Sequence, residues 1–358
     1  MTNERFLEIT EHTEPGFKPL VIKEGWRAAI LNDNPEKYRL DSLCDFERHM
    51  KTDEVFVLLE GDCTLLVGDS EEAGKVGTVT PVKMEPKKLY NVKQKVWHNL
   101  LGTPGMVLLV VENADTSRDT SEFLPSCEAD LSALREPAEK KREVLEWMEK
   151  YGLVAIVRGL NETECLTAAE ALYRGGIRLM EITYDQKDPS SWQKSADLIA
   201  RLSEAYRGKM LIGAGTVTSV SLVEKTAAAG GRFIISPDTD PAVIQRSVQL
   251  GLVSMPGAMT PSEIKQAHLA GADFVKVFPA GNFGAAYIKA VRAPLGQIKL
   301  LAVGGVDENN LAAFLKAGAV GAGIGGNLVN KEWIREGKTE KITETAKKLT
   351  EIYRAAKQ

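Results

Sequence analysis

Lys276 lies in the stretch GADFVKVFPAG, residues 271–281, with Val275 and Val277 beside it and Phe274 and Phe278 two residues away on either side. Burying a lysine ammonium without a partner is costly, and the group answers by lowering its pKa. A lysine that is neutral near pH 7 is an amine nucleophile able to form a Schiff base with a ketone. Glu181 poses the matching problem for a carboxylate, in RLMEITY at 178–184 among apolar neighbours. A buried carboxyl with a raised pKa can move protons at a carbon next to an iminium. A structural lysine–glutamate ion pair would perturb both groups as well, so the two readings stay open at this point.

The elements that must position these residues form a repeating pattern. From residue 152 onward, apolar strands alternate with helices, the strands at 153–159, 177–184, 210–217, 232–237, 252–257, 273–280, 298–305 and 319–326. Each is followed by a segment of helical character with Asn, Ser, Thr or Asp near its start. The pattern predicts an α/β fold, a (β/α)8 TIM barrel. A doubly wound open sheet is the competing layout, but no GxGxxG follows the first strand.

In such a barrel the chemistry sits at the C-terminal ends of the strands. Those ends carry Arg158, Glu181, Thr216, Pro237, Pro256, Lys276, Gly304-Gly305 and Gly325-Gly326-Asn327. Alternation puts Phe274, Lys276 and Phe278 on one face of the sixth strand and Val275 and Val277 on the other. The two glycine pairs end the seventh and eighth strands, where loop amides commonly hold a phosphate and the lack of a Cβ lets the backbone approach it. Arg158 is placed to hold a carboxylate. Together these residues predict a phosphorylated keto acid as substrate.

Residues before about 125 follow a different period. EVFVLLEG (54–61), CTLLVGD (63–69) and MVLLVVEN (106–113) are short apolar runs bounded by Gly, Asp and Asn, with EGD at 60–62 read as a hairpin turn. An antiparallel sandwich or barrel is expected. The expected organisation is an all-β domain over 1–127, a linker over 128–142 and the barrel domain over 143–358.

Composition narrows the partners. The 358 residues carry a formal net charge of -4, with 44% hydrophobic and 26% charged residues. That balance offers no basic surface for nucleic acid or anionic lipid. No apolar run approaches the roughly 20 residues that span a bilayer. The N-terminal stretch MTNERFLEITEHTEPGF lacks the apolar core of a signal peptide. Cys44, Cys63, Cys127 and Cys165 lie far apart with no CxxC, as expected of reduced thiols in a cytoplasmic protein.

The motifs GIRLMEITY, LIGAGTV, FIISP, MPGAMTPSE, FVKVFPA, AVGGV and GIGGNLV, in this order over about 150–330, resemble the KDPG/KHG aldolase family. AIVRG, FPAGNFGAAYIKAV and LLAVGGVDENNLAAFLKAGAVGAGIGGNL are closest to its 2-dehydro-3-deoxy-6-phosphogalactonate branch. The resemblance implies a class I aldolase without a metal, releasing pyruvate and glyceraldehyde 3-phosphate. It implies that Lys276 forms the Schiff base and that Glu181 is the general acid/base, acting through water. Arg158 and Thr216 would bind the carboxylate end, with Pro237 and Phe278 also in the substrate site. Gly304, Gly305, Gly325, Gly326 and Asn327 would bind phosphate. A homotrimer is usual in the family. The phosphogluconate branch has Arg four residues after the glutamate, where this chain has Asp185. Asp185 could instead bind a substrate hydroxyl. Val303 and Asn327 also depart from that branch, which has Thr and Ser there. The alternatives are a 4-hydroxy-2-oxoglutarate or related 2-keto acid aldolase, a non-catalytic sugar-acid sensor, and an isomerase or epimerase that would not need Lys276.

In the N-terminal part, ERHMKTDEVFVLLEG at 47–61 resembles the first cupin motif. His49, Glu54 and Gly61 fit its spacing, Glu47 replaces the first histidine, and His98 in VKQKVWHN stands for the second motif. Glu47, His49, Glu54 and His98 could hold a divalent metal through carboxylate and imidazole ligands. A degenerate, metal-free cupin is the alternative.

Overall fold

The computed structural model describes residues 8–72 and 74–357. Residues 1–7 of the N-terminal stretch read above lie outside the described residues. Contacts divide the chain into two units, Met1–Glu136 and Pro137–Gln358.

Among the described residues, the first unit has eleven strands: β1 (Gly16–Lys23), β2 (Trp26–Asn32), β3 (Asp45–His49), β4 (Glu54–Glu60), β5 (Cys63–Gly68), β6 (Gly77–Lys83), β7 (Leu89–Val92), β8 (His98–Gly102), β9 (Val107–Glu112), β10 (Ser121–Pro125) and β11 (Ala129–Asp130). They form a five-stranded sheet, β1-β2-β9-β4-β7, and a six-stranded sheet, β10-β3-β8-β5-β6-β11. Alternation sends Phe56 and Leu58 of β4, Leu100 of β8, and Leu108 and Val110 of β9 into one apolar cluster. The expected hairpin at 60–62 is not formed. β4 and β5 belong to different sheets, so the chain turns a corner there. Gly61 makes the corner at φ +70°, and a Cβ on it would lie 2.8 Å from the backbone of Met106.

The stretch 128–142, expected to be linker, is ordered. β11 pairs with β6, and helix α1 spans Ser132–Tyr151. The helix thus begins inside the stretch expected to be linker; beyond 142, where a helix leading the barrel is expected, Val144 and Met148 form an apolar stripe that packs into the barrel's inner cluster. The boundary between the two units falls inside this helix, at Pro137.

The second unit continues β12 (Leu153–Val157), α2 (Glu162–Arg174), β13 (Leu179–Thr183), α3 (Trp192–Ala205), β14 (Leu211–Gly215), α4 (Val220–Ala228), β15 (Phe233–Ile235), α5 (Pro241–Gln249), β16 (Val253–Met255), β17 (Gly257–Ala258), α6 (Pro261–Leu269), β18 (Val275–Val277), α7 (Ala280–Arg292), β19 (Leu300–Val303), α8 (Leu311–Lys316), β20 (Gly321–Ile324), α9 (Lys331–Arg335) and α10 (Glu340–Lys357). All strand pairs within it are parallel, in the order β16-β15-β14-β13-β12-β20-β19-β18-β17. The two ends of that order, β16 and β17, are halves of one strand interrupted at Pro256, which has no N–H to donate. The sheet therefore closes on itself as a TIM barrel.

Asn161, Asp240, Thr260 and Asn330 cap α2, α5, α6 and α9 by accepting backbone N–H groups, the polar starts expected from the sequence. α7 departs from that expectation, starting after Pro279 without a side-chain cap.

Candidate active site

Strand β18 divides its side chains as alternation demands. Val275 and Val277 join the apolar layer shared with the surrounding helices, and Phe274 joins the inner cluster. Lys276 points into the bore, 7% exposed, and its N–H donates to Pro256 O at 2.9 Å. Glu181 of β13 is 2% exposed. Both line one internal cavity of about 10 Å³, with Ile156, Ile235, Met255, Leu301, Val303 and Gly323 around them. That is space for about one water.

No ion pair of 4.0 Å or shorter joins Lys276 or Glu181 to any described residue, although each group feels the other's charge. Glu181 Oε2 is buried without a hydrogen-bond partner. Gly215, at the end of β14, makes room for this carboxylate, because a Cβ there would lie 2.3 Å from Glu181 Oε1. Burial raises the Glu181 pKa to about 7, against the opposing charges of Lys276 and Arg158. Burial lowers the Lys276 pKa, Glu181 opposes the fall, and Arg158 adds to it. An acid near neutrality faces an amine that resists protonation.

The other expected residues surround this pair. Arg158 Nη2 donates to Thr216 Oγ1 at 2.9 Å. Thr216 has φ +57°, a left-handed conformation disfavoured for a β-branched residue. Gln186 holds it there, donating to Thr216 O at 2.8 Å and accepting from Thr218 Oγ1 at 2.8 Å. The Phe278 ring centroid is 4.7 Å from Lys276 Nζ. Pro237 sits exposed at the rim after β15. Gly304 and Gly305 follow β19 with φ +88° and +75°, and Gly281 N–H donates to Gly304 O at 2.8 Å. Gly325 and Gly326 follow β20. Asn327 Nδ2 donates to Val306 O at 3.0 Å and so ties the two glycine loops together.

Asp185 is exposed, and its Oδ1 accepts Lys187 N–H at 2.9 Å, closing a local turn. Sequence reasoning passed over two groups near this site. Asp238 follows Pro237 at the exposed rim; partial desolvation and the Asp240 charge raise its pKa while Lys276 opposes the rise. Gln186 is the other, a neutral residue in a polar loop whose role depends on a fold that brings β13 and β14 side by side. Asp238 had a signal, since it lies one residue past a strand end.

In the β unit, Glu47, His49, Glu54 and His98 each place a ligand atom within 4.8 Å of the others. Strand pairing explains it: Glu47 sits opposite His98 on neighbouring strands, and His49 lies two residues beyond Glu47 on the same face. His49 Nε2 and His98 Nε2 lie 3.0 Å and 2.8 Å from Glu54 Oε2. Their other nitrogens are engaged, His49 Nδ1 with Ser121 Oγ at 2.8 Å and His98 Nδ1 with Val96 O at 3.0 Å. Burial works to raise the Glu54 pKa, yet the two histidine hydrogen bonds hold it down at about 2. Burial works to lower the His98 pKa, yet Glu54 lifts it to about 9. Glu112, missed from the sequence, lies with Oε2 4.0 Å from His49 Nε2 and is paired with Arg27 at 2.7 Å. Its signal was present: it continues the inward period of Leu108 and Val110.

Residues 144–345 match the family described as KDPG and KHG aldolase. The chain belongs to this family. The 2-dehydro-3-deoxy-6-phosphogalactonate aldolase of Escherichia coli K12 is 37% identical over 216 residues, which is 60% of this chain and 100% of the relative. A solved structure described as native KDPGal aligns with a TM-score of 0.52 and 37% identity, over 57% of this chain and 96% of that one. A KDPG aldolase from Legionella pneumophila, solved with pyruvate captured as a covalent carbinolamine intermediate, aligns with a TM-score of 0.51 and 25% identity, over 60% of this chain and 97% of that one. In this chain the barrel bore holds a buried lysine and a buried acid, Lys276 and Glu181. The N-terminal β unit lies outside the matched residues.

Proposed function

We propose that the barrel is a class I aldolase cleaving a 2-keto-3-deoxy-6-phospho sugar acid, of the phosphogalactonate or phosphogluconate type, to pyruvate and glyceraldehyde 3-phosphate. One observation carries the reading: Lys276 and Glu181 line the same small cavity, unpaired, with pKa values moved toward neutrality. The neutral Lys276 amine attacks the C2 ketone, and loss of water leaves an iminium. The ionised Glu181, directly or through one water, takes the C4 hydroxyl proton as the C3–C4 bond breaks. The bonding electrons move into the iminium to give an enamine, and the aldehyde leaves. Protonation at C3 and hydrolysis release pyruvate and restore the amine. Arg158 and Thr216 hold the carboxylate, Phe278 and Pro237 flank the substrate, and the paired glycines with Asn327 receive the phosphate. On the family's pattern the assembly is a homotrimer of cytoplasmic chains.

The test is pyruvate release from the phosphogluconate, phosphogalactonate and unphosphorylated acids, and from 4-hydroxy-2-oxoglutarate. The phosphorylated acids should be cleaved with the highest kcat/KM. Preference for 4-hydroxy-2-oxoglutarate would move the assignment to that aldolase, and no pyruvate from any of them would leave the sensor reading.

For the β unit, the reading is a cupin-like domain with a divalent metal centre held by Glu47, His49, Glu54 and His98. The donor set fits. Two Nε2 atoms converge while each Nδ1 is held by a protein partner, the arrangement that orients metal-bound histidines. A bound divalent ion would supply Lewis acidity, while Arg27 neutralises Glu112 beside it. Metal analysis of the full chain should find about one ion per chain, of a metal suited to nitrogen and oxygen donors. His49→Ala with His98→Ala should lose it and leave aldol cleavage in place. Metal-free protein from a metal-supplemented preparation would leave the degenerate, metal-free reading.

A further inference from the structure

A pocket of about 430 Å³ opens beside the catalytic cavity, between the loop after β12 and the loop after β20. Arg158, Gly325, Gly326, Asn330, Lys331 and Glu332 are among its lining residues. Two of these are cations. No carboxylate of the described residues comes within 4.0 Å of the Arg158 guanidinium or the Lys331 ammonium. The nearby acids are accounted for. Glu164 feels the charge of Lys331, but its Oε1 accepts from Arg335 at 3.0 Å and its Oε2 caps Asn161 N–H at 2.9 Å. Glu332 shares the pocket wall without pairing with Lys331.

The backbone opposite makes room for Lys331. Gly159 adopts φ +62°, and a Cβ on it would lie 2.9 Å from Lys331 Nζ. The ammonium thus lies against a side-chain-free stretch directly after Arg158. Gly325 and Gly326 also line the pocket; a Cβ on Gly325 would meet only Ile156, at 3.8 Å, and one on Gly326 nothing within 4 Å. A phosphoryl group entering the pocket meets the Lys331 ammonium and the glycine backbone, while Arg158, bonded to Thr216, is left to the carboxylate end.

We propose that Lys331 is a specificity-determining residue that binds the phosphoryl end of the substrate. This rests on the aldolase reading above and adds to it a residue outside the glycine loops. The lysine supplies a mobile point charge, whereas the glycine amides supply direction. Lys331 therefore favours substrates with a dianionic phosphoryl group over their unphosphorylated counterparts.

The test compares wild type with Lys331→Met, which keeps the aliphatic stem, and Lys331→Arg, which keeps the charge. The readouts are kcat and KM on a phosphorylated and an unphosphorylated 2-keto-3-deoxy sugar acid, and the affinity for inorganic phosphate. In Lys331→Met, kcat/KM on the phosphorylated substrate should fall at least about tenfold further than on the unphosphorylated one, mainly through KM. Phosphate affinity should fall in parallel, and Lys331→Arg should recover most of both. Equal losses on the two substrates, or unchanged phosphate affinity, would overturn the proposal. The underlying reading fails differently: wild type would then cleave neither substrate, whatever it does with phosphate.

Discussion

Lys276→Met is expected to lose aldol cleavage by at least about 10⁴-fold while the barrel stays folded. The size follows from the chemistry. Without the amine there is no iminium, hence no electron sink for C–C cleavage, and no neighbouring group offers a substitute. Methionine suits the place, because Lys276 is flanked by Phe278 and by Met255 and Leu301 of the cavity wall. Removing a charge from a buried site costs the fold little and relieves the burial that lowers the lysine pKa. Two measurements check this. Borohydride reduction in the presence of pyruvate should give wild type a stable adduct, located by mass spectrometry on Lys276, and the variant none. Thermal denaturation should show the variant at least as stable as wild type. Normal turnover by Lys276→Met, or an adduct on another lysine, would remove the Schiff-base assignment.

Glu181→Gln is expected to lower kcat by about 10²–10⁴-fold, the usual contribution of general acid–base catalysis. Pyruvate should still be trapped on Lys276, more slowly, which separates this variant from Lys276→Met. The pH dependence gives a sharper signature. The folded-state pKa of about 7 lies above the ordinary carboxyl value of 4.5, chiefly because burial penalises the ionised form. Stability linked to this group is therefore present in full below pH about 4.5 and is lost as pH rises through about 7. The glutamine variant carries no such penalty. It should denature at a higher temperature than wild type at pH 8 and converge with it toward pH 5. Cleavage by wild type should rise with pH across the same window, because the carboxylate is the form that accepts the C4 hydroxyl proton. A variant equally active, or no more stable at pH 8, would put the proton transfer elsewhere.

The parts of this protein written in periodic patterns were legible, and those that depend on two segments meeting were not. Eight strand–helix repeats announced the barrel, and reading off strand ends brought out Lys276, Glu181, Arg158 and both glycine pairs. Alternation separated Lys276 from Val275 and Val277 on opposite faces, and the structure turns the lysine face into the bore. The cavity itself was not legible, since Gly215 and Glu181 are 34 positions apart and their fit is a fact of strand register. Gln186 and Lys331 were passed over because polar residues in loops and short helices carry no pattern. The hairpin at 60–62 failed because apolar runs either side of a glycine turn look alike whether they pair or diverge into two sheets. Only the first half of helix α1 was read as linker, because of its proline and its charges, while the residues beyond 142 were expected to be helical.

Gly215 has a consequence for how changes in this enzyme should be interpreted. The Glu181 carboxylate, the proposed acid, occupies space left free because a neighbouring residue has no side chain, so one methyl group added at 215 would push on it without altering any reacting atom. An inventory of catalytic side chains would score such a chain as intact. Activity here is encoded partly as reserved volume, and loss of function can begin at a position that performs no chemistry.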